Sequence, residues 1–455
     1  MIDLPSFYLD YSKGPLWVRL GNQQIAWGES IFFRVLDVPN GLDLRRHSFL
    51  DFASEEYADE RVSSPAIRVS YNLNDEWEIE AFAQMFQPTI WPQTGTPYAF
   101  VNSPFQIMND EGFDKVDDKI NFGVRLRGQL GDLGLQFMAM SRHNPDPVLK
   151  WAAGGQTGVM PGFETQPFRA TNFPGARGAP NSGTYGAHDW LSVAALAGLD
   201  GVEALNVLGN DFAWIGGTLS APVSAGGFGL TGPEYVSSVD EAKLTLDGFF
   251  TLLGDLEADL VPTYSEENVF GFGVNYIFYA EPDTFMDQLV VRFEATYTPD
   301  KRWTNNLSRD LIEEDEWVTG LAIEKYQKFS RRFPATFMVF QWMHKSQSDM
   351  LGRHLRNLGA YGVQRKATGG EEAHGWDAVA FAVQQPFPNL VWRLDLSVLY
   401  DFNGSYLVQP GVRYKPSGEW TVEVFANFLD SKDNAGTMAP LDWGDEVTAR
   451  LTYQF

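Results

Sequence analysis

The sequence predicts an all-β protein: an antiparallel transmembrane outer-membrane β-barrel of about fourteen to eighteen strands with a long, partly helical insertion. Runs of about ten residues alternate apolar and polar side chains along most of the 455 residues, as tilted membrane-spanning strands do. Short turns alternate with long connections between these runs, which is typical of barrels. No stretch approaches the roughly 18 consecutive apolar residues of a membrane-spanning helix.

Composition narrows the class further. Mean hydropathy is −0.23, but lipid-facing and lumen-facing residues alternate in a barrel wall, so the average hides the apolar face. The chain carries 59 acidic against 34 basic residues, a net charge of −25, which disfavours binding to nucleic acid. It contains no cysteine, which suits export through an oxidising compartment.

The predicted strands follow one another along the chain. In the clearest run, Trp392, Leu394 and Leu396 alternate with charged or hydroxyl side chains. Further runs lie at Phe7–Tyr11, Leu16–Gly28, Ile67–Leu73, Trp77–Gln87, Ile120–Arg127, Leu133–Arg142, Asn268–Tyr279, Val291–Tyr297, Trp317–Tyr326, Ala335–Met343, Ala378–Phe387, Ser405–Tyr414, Trp420–Phe428 and Val447–Phe455. This gives about fifteen strands, whereas bacterial single-chain barrels favour even numbers. We therefore expect that an N-terminal strand is missing together with the export signal, or that one run is miscounted.

The connections divide into two kinds. Short turns rich in Gly, Pro, Asn or Asp join neighbouring runs, as at Asn72–Asp75 and Lys415–Gly418. Long connections such as Pro88–Asp118 and Ser346–Gly375 separate the hairpins. We predict that the short turns lie on the periplasmic side.

The last strand resembles the signal that the barrel-assembly machinery reads. Its apolar positions alternate strictly with polar ones and end on an aromatic residue: Val447, Ala449, Leu451, Tyr453 and Phe455. This pattern predicts assembly into the outer membrane of a Gram-negative bacterium, with the barrel-assembly machinery and outer-membrane lipid as partners.

Residues 144–267 do not follow the strand pattern. They are rich in Gly and Pro, and within them Val239–Leu253 has helical spacing, with Ser237 or Ser238 as its cap. A second helix is predicted over His188–Leu208. We expect residues 1–455 to form one barrel domain in which this insertion acts as an extracellular lid or a lumen plug.

Charged side chains of both signs occupy predicted lumen positions. They are Arg19, Arg68, Glu78, Glu80, Arg125, Arg127, Arg292, Glu294, Arg393, Asp395, Arg413, Glu423 and Arg450. Such residues could set a transverse field that selects solutes. Alternatively, they pair across strands and fill the interior.

Catalysis has little support in the sequence. None of the six histidines has metal-ligand spacing, and no Gly-x-Ser-x-Gly motif occurs. We therefore expect neither an enzyme nor a cofactor or metal site. The basic cluster Arg353, His354 and Arg356 is expected on a solvated loop.

One short motif carries a family resemblance. Residues 21–30 resemble the signature Gly-Arg-Gln-x-x-x-Trp-Gly-Glu-Ser of a proteobacterial outer-membrane family catalogued as domain of unknown function thirteen-oh-two. The matching positions are Gly21, Gln23, Trp27, Gly28, Glu29 and Ser30, whereas Asn22 stands where Arg is common. The resemblance implies an outer-membrane protein often encoded beside an efflux-type inner-membrane transporter and a periplasmic lipid-carrier-like protein. Two interpretations of the motif are open: its residues contact the substrate, or they are purely structural, in which case Trp27 fills the barrel wall and Gly28 permits a bend.

The leading functional expectation is passage of a hydrophobic or lipid-like solute across or into the outer membrane. A porin for small polar solutes is the second hypothesis, and a non-conducting docking barrel for a periplasmic partner is the third. Cargo, direction of transport and oligomeric state do not follow from the residues.

Overall fold

A computed structural model describes most of the chain. The described residues are 6–45, 61–92, 105–152, 168–170, 186–198, scattered positions between 202 and 229, 235–253, 256–282, 284–305, 311–355, 375–432, 437–441 and 444–454.

Strands dominate the described residues. In chain order they are β1 (Phe7–Lys13), β2 (Leu16–Gln23), β3 (Ser64–Asn72), β4 (Trp77–Met85), β5 (Phe105–Ile107), β6 (Ile120–Leu130), β7 (Leu133–His143), β8 (Val148–Trp151), β9 (Phe168–Ala170), β10 (Leu256–Thr263), β11 (Glu266–Ile277), β12 (Val290–Thr304), β13 (Leu311–Gln327), β14 (Thr336–Lys345), β15 (Trp376–Pro386), β16 (Trp392–Asp401), β17 (Ser405–Tyr414), β18 (Trp420–Ser431) and β19 (Glu446–Tyr453). The helices are α1 (Asn109–Phe113), α2 (Ala187–Leu196) and α3 (Val239–Leu253).

Fifteen of these strands form one antiparallel sheet. Its order is β1-β2-β3-β4-β6-β7 followed by β11 through β19, so that every strand pairs with the next one of the sheet. Within the described residues β1 and β19 stand at the two ends of this pairing order. The fold is the predicted antiparallel transmembrane β-barrel, and its strand count lies within the predicted range.

The outer face of the sheet is apolar because the pleat sends alternate side chains to opposite faces. On β19, Val447 and Leu451 are 74% and 66% exposed, whereas Thr448 and Arg450, which point to the other face, are partly covered. On β4, the inward residues Glu80 and Gln84 are buried. A band of exposed apolar side chains is what contact with hydrocarbon requires.

Several strand boundaries differ from the sequence prediction, and β2 and β13 are examples. β2 ends at Gln23 instead of continuing to Gly28, and the amide nitrogen of Gln23 donates a hydrogen bond to the Ala66 carbonyl at 3.0 Å. β13 begins at Leu311, six residues before the predicted start. Its extension is paired with β12 through charged cross-strand neighbours such as Arg302 and Glu313, whose side chains are 3.0 Å apart.

A second, smaller sheet is formed mainly by the predicted insertion. Its central strand β10 pairs in parallel with β5 and antiparallel with β8 and β9. The sequence analysis missed these four strands, which have three to eight residues. Their side chains do not alternate cleanly because β10 is covered on both faces by the rest of the assembly.

Helix α3 coincides with the predicted Val239–Leu253. Ser238 caps it, because its hydroxyl accepts a hydrogen bond from the Glu241 backbone N–H at 3.2 Å. The Glu241 carboxylate in turn accepts bonds from the Ser237 backbone N–H and hydroxyl, which hold the pKa of Glu241 below its ordinary value. The second predicted helix is shorter than expected, since α2 ends at Leu196.

Helices α2 and α3 pack on the small sheet around one buried cluster. It includes Phe105, Trp190, Leu191, Leu246 and Leu260. None of the helices in the described ranges is long and apolar enough to span a membrane. The role of residues 144–267 as lid or plug stays a prediction.

Candidate functional site: a divided barrel lumen

Residues 24–45 leave the wall after β2 and fold into the barrel; we call them the interior segment. Several of its apolar side chains are enclosed by opposite parts of the wall. Leu36 belongs to the same buried cluster as Phe82 of β4. Phe33 packs edge-on against Trp376 of β15, with ring centroids 6.4 Å apart. The interior segment therefore crosses the lumen.

Gln341 of β14 binds the backbone of the interior segment. Its amide oxygen accepts a hydrogen bond from the backbone N–H of Phe32 at 2.8 Å, flanked by longer ones from Ile31 and Phe33 at 3.2 and 3.3 Å. Its amide nitrogen donates to the Phe33 carbonyl at 3.0 Å. Gln341 is fully buried. One side chain thus satisfies backbone hydrogen-bonding groups of three consecutive residues. In a strand or a helix, other backbone groups would satisfy them.

Glu294 of β12 holds the preceding turn of the interior segment. Its carboxylate accepts hydrogen bonds from the backbone N–H of Glu29 at 2.6 Å and from the Ser30 hydroxyl at 2.7 Å. A longer bond, 3.4 Å, comes from the backbone N–H of Leu36. The signature residues Glu29 and Ser30 are therefore fixed to the wall by one buried carboxylate.

Trp27 lies in the lumen, not in the barrel wall where the structural reading of the motif placed it. Its indole N–H donates to the carboxylate of Glu80, which also binds Arg68 at 2.6 Å and Arg125 at 3.5 Å. The ring meets Phe82 edge-on at 4.9 Å between centroids. Because β2 ends at Gln23, Trp27 lies beyond the wall strand. Its amphipathic ring contacts the polar cluster of Glu80, Arg68 and Arg125 inside the barrel.

The two signature glycines are required by close approach. Gly21 has φ = +137°, and a Cβ there would lie 2.3 Å from the backbone oxygen of Phe7 on β1. A Cβ on Gly28 would lie 2.7 Å from the backbone nitrogen of Asp37. Gly28 therefore allows two parts of the interior segment to touch, which differs from the bend proposed from the sequence.

The thirteen predicted lumen residues are mostly paired. Glu294 binds the interior segment, whereas each of the other twelve has an opposite charge within 4 Å. The pairs are Arg19–Asp10, Arg68–Glu80, Arg125–Glu80, Arg127–Glu78, Arg292–Glu29, Arg292–Glu324, Arg393–Asp395, Arg413–Glu423 and Arg450–Glu423. The structure brings these residues together as ion pairs, most of them across neighbouring strands, whereas Arg393 and Asp395 lie on the same strand and Glu29 belongs to the interior segment. Their role in solute selection stays a prediction.

The interior segment divides the lumen into two cavities. The turn-side cavity, 790 Å³, opens among the short turns 72–77 and 127–136 and is lined mostly by polar residues. It ends at Glu29, whose carboxylate binds Asn275 at 2.9 Å and Arg292 at 3.2 Å. The loop-side cavity, 440 Å³, lies beyond the interior segment, under Leu196 of the small assembly and the connection after β14.

The predicted solvated cluster is partly wrong. Arg353 and His354 are buried and line the loop-side cavity, while Arg356 lies outside the described residues. Arg353 pairs with Asp349 at 2.7 Å and donates to the Thr437 carbonyl at 2.9 Å. These bonds hold residues 349–354, which follow β14, against the loop-side cavity instead of in water.

Four of the five assembly-signal residues lie within the described part of the chain. Val447, Ala449, Leu451 and Tyr453 face outward on β19 and are exposed, while Phe455 lies outside the described residues. Among the residues that the structure describes, no group of three or more His, Asp or Glu side chains is arranged to hold a metal ion.

Sequence comparison assigns the family. Residues 5–455 match the family described as protein of unknown function, DUF1302. The chain belongs to this family. The DUF1302 resemblance of residues 21–30 is thereby confirmed at the level of the whole chain. No curated protein sequence matches it.

Solved barrels are similar to this DUF1302 chain only distantly. Wzi from Escherichia coli, a carbohydrate-binding outer-membrane barrel involved in capsule assembly, is 10% identical with a TM-score of 0.35, over 98% of this chain and 70% of Wzi. The siderophore receptor PirA from Acinetobacter baumannii is 9% identical with a TM-score of 0.30, over 80% of this chain and 40% of PirA. The monoaromatic hydrocarbon channel CymD is 9% identical with a TM-score of 0.24, over 82% and 78%. These likenesses carry no argument about function, and the fold rests on the strand pairing.

Of the residues that hold the interior segment, Glu80, Arg125, Arg292 and Glu294 were among the predicted lumen positions, whereas Gln341 and Gln84 were missed. Gln341 and Gln84 both bind its backbone, Gln84 through a bond of 2.6 Å to the Pro39 carbonyl. Each is an amide at a buried, inward position of its strand. That pattern marks a buried polar partner and could have pointed to a segment inside the lumen.

Proposed function

We propose that this DUF1302 protein lies in the outer membrane of a Gram-negative bacterium and passes a hydrophobic or lipid-like solute across or into that membrane. The interior segment is the gate, and no chemical step is involved. One observation carries the proposal: a segment held by side-chain hydrogen bonds separates a polar turn-side cavity from a loop-side cavity with apolar walls.

The way the gate is held supports a movable part. Its central residues bind the wall through Gln341 and Glu294 rather than through a strand ladder. Side-chain bonds of this kind can be exchanged for water one at a time, whereas a strand ladder opens cooperatively. The outward apolar band of the strands supports contact of the barrel with lipid.

Partners enter the proposal through the family. A periplasmic lipid carrier would meet the turn-side mouth, and an efflux-type inner-membrane transporter would supply the cargo to it. The barrel-assembly machinery would place the chain in the membrane.

A porin for small polar solutes is the second candidate. The polar lining and 790 Å³ of the turn-side cavity favour it. The interior segment opposes it, because a steady aqueous path requires an unobstructed lumen.

A disulfide lock tests the gate. The chain has no cysteine, so introduced thiols have no competitors. A Cβ on Gly320 of β13 would lie 2.9 Å from Cγ2 of Val35 in the interior segment, which suits a disulfide between V35C and G320C. The control pair is S405C with S431C, whose hydroxyls are 3.2 Å apart on β17 and β18. Both pairs cross-link the barrel, but only the first ties the interior segment to the wall.

Uptake is measured in Gram-negative cells before and after reduction. We expect that reducing the V35C/G320C lock accelerates uptake of the hydrophobic dye N-phenylnaphthylamine several-fold, with the control pair unaffected. Acceleration of the polar substrate nitrocefin alone would instead establish the porin. If neither probe distinguishes locked from reduced protein, the interior segment is not a gate.

A further inference from the structure

The loop-side cavity has apolar lining residues and is large enough for a small ligand. Phe33 and Leu42 of the interior segment, Trp91, Leu196 and Met343 contribute to it. Its volume of 440 Å³ falls within the range of about 300–1,000 Å³ that is usual for small-molecule sites.

The loop-side cavity is also rich in basic lining residues. Six basic side chains line it against two acidic ones, in a protein whose net charge is −25. The basic residues are Arg34, Arg142, Lys301, Arg302, Lys345 and Arg353. Both acids are already engaged: Asp146 accepts a bond from the Thr89 hydroxyl, and Glu316 binds Lys301 and Ser348.

Lys345 differs from the other five basic residues. Each of those has a carboxylate within 4 Å. Among the described residues, the ammonium of Lys345 makes a single hydrogen bond, to the backbone carbonyl of Asp349 at 2.8 Å. An ammonium has three donors, so two of them can bind a ligand. A charge-assisted bond to an anion is the strongest interaction that those donors can make.

We propose that the loop-side cavity binds an amphipathic anion, an apolar chain that ends in a carboxylate or phosphate monoester, with Lys345 at the head group. This inference rests on the proposed function, because it names the chemical class of the cargo. The apolar lining residues contact the chain, and Lys345 binds the acid.

The turn-side cavity has the opposite charge balance. Its lining contains the acids Glu29, Asp75, Glu76 and Glu78 against two arginines, Arg125 and Arg127. Anion preference is thus a property of the loop-side cavity and not of the lumen as a whole.

Binding is measured on the full chain in nanodiscs of zwitterionic lipid. The first probe is parinaric acid, a fluorescent long-chain carboxylate excited by energy transfer from tryptophans such as Trp91 and Trp303, which line the cavity. Its methyl ester, an alkyl phosphate and an alkyl trimethylammonium compete against it. We expect the carboxylate to bind about ten- to a hundredfold more tightly than the ester, as one charge-assisted hydrogen bond predicts. If the alkyl phosphate binds more tightly than the carboxylate, the ligand has a phospholipid-type head group. If the carboxylate binds more tightly, the ligand is a fatty acid.

Two variants separate the head-group contact from general effects. Lys345→Met keeps the side-chain length and should lower carboxylate affinity about tenfold without changing ester affinity. Lys345→Arg should restore it. Lys328→Met, at an exposed lysine after β13, should change neither. Equal affinity for acid, ester and trimethylammonium in the wild type, or a carboxylate preference that survives in Lys345→Met, overturns the proposal.

The two proposals fail separately. If the ester is bound and passed as well as the acid, the proposal of a gated barrel stands and only the anionic class of the cargo is refuted. Acid bound through Lys345 without any effect of the disulfide lock on uptake would refute passage and leave a binding barrel.

Discussion

Replacing Gln341 with methionine should release the interior segment. Methionine has a similar length but neither donates nor accepts as an amide does. Two of the four bonds have near-ideal lengths, 2.8 Å from Phe32 N–H and 3.0 Å to the Phe33 carbonyl. Leaving a buried polar group unsatisfied costs about 1–3 kcal/mol, so these two groups together destabilise the docked segment by about 2–6 kcal/mol. When the segment undocks, both groups gain water, so the ratio of undocked to docked segment should rise by about thirtyfold to the order of 10⁴-fold.

Planar bilayers give the assay, because an undocked segment connects the two cavities. We expect wild-type protein to be almost silent and Gln341→Met to show frequent openings. Gln409→Met is the matched control: Gln409 is equally buried but binds Asn427 of the neighbouring strand at 2.7 Å. Folding is checked by heat-modifiable electrophoretic migration. The role of Gln341 in keeping the interior segment docked is refuted if folded Gln341→Met stays silent or if Gln409→Met opens as often.

Three further changes test other parts of the structure. Gly28→Ala places a Cβ 2.7 Å from the Asp37 backbone nitrogen and should destabilise this part of the interior segment by about 1–3 kcal/mol. The measurement is hydrogen exchange, which should be faster across residues 28–37. Gly418→Ala is the control, because Gly418 has open space around it and the variant should exchange like wild type. Trp27→Phe keeps a ring but removes the N–H that a buried carboxylate accepts, and should lower the free energy of unfolding in urea by about 1–3 kcal/mol; an unchanged midpoint and slope would contradict that bond. Leu396→Arg puts a charge on the exposed face of mid-β16 and should lower stability in lipid vesicles by about 2–4 kcal/mol, whereas no loss would mean that this face does not contact hydrocarbon.

The strands of the wall follow directly from the sequence. β17 coincides with the predicted Ser405–Tyr414, and β16 with most of the run that begins at Trp392. Both carry a period-two pattern that only a half-buried strand needs. Strand ends were less predictable, as β13 shows, because cross-strand ion pairs beyond the membrane extend the ladder without adding apolar residues.

The interior segment could not be predicted in the same way. Trp27 has an apolar body and one polar atom, so it suits a barrel wall and a lumen equally well. What decides between them is Glu80, which lies 53 positions further along the chain. The charged lumen positions were visible because they alternate with apolar residues, but their partners follow from strand register. Lys345 gave no signal at all, since its environment is made by connections that pattern analysis leaves undefined.

The interior segment binds residues that lie far away in the sequence, and this has a consequence for the biogenesis of the protein. The backbone of Glu29 docks on a residue 265 positions later, and that of Ile31 on one 310 positions later. Contacts between residues so far apart in the sequence form late, and these can form only after the hairpins that contain β12 and β14 are in place. A newly inserted molecule therefore passes through a permeable intermediate in which the interior segment is not yet docked. Its permeability should decrease as the interior segment binds the wall.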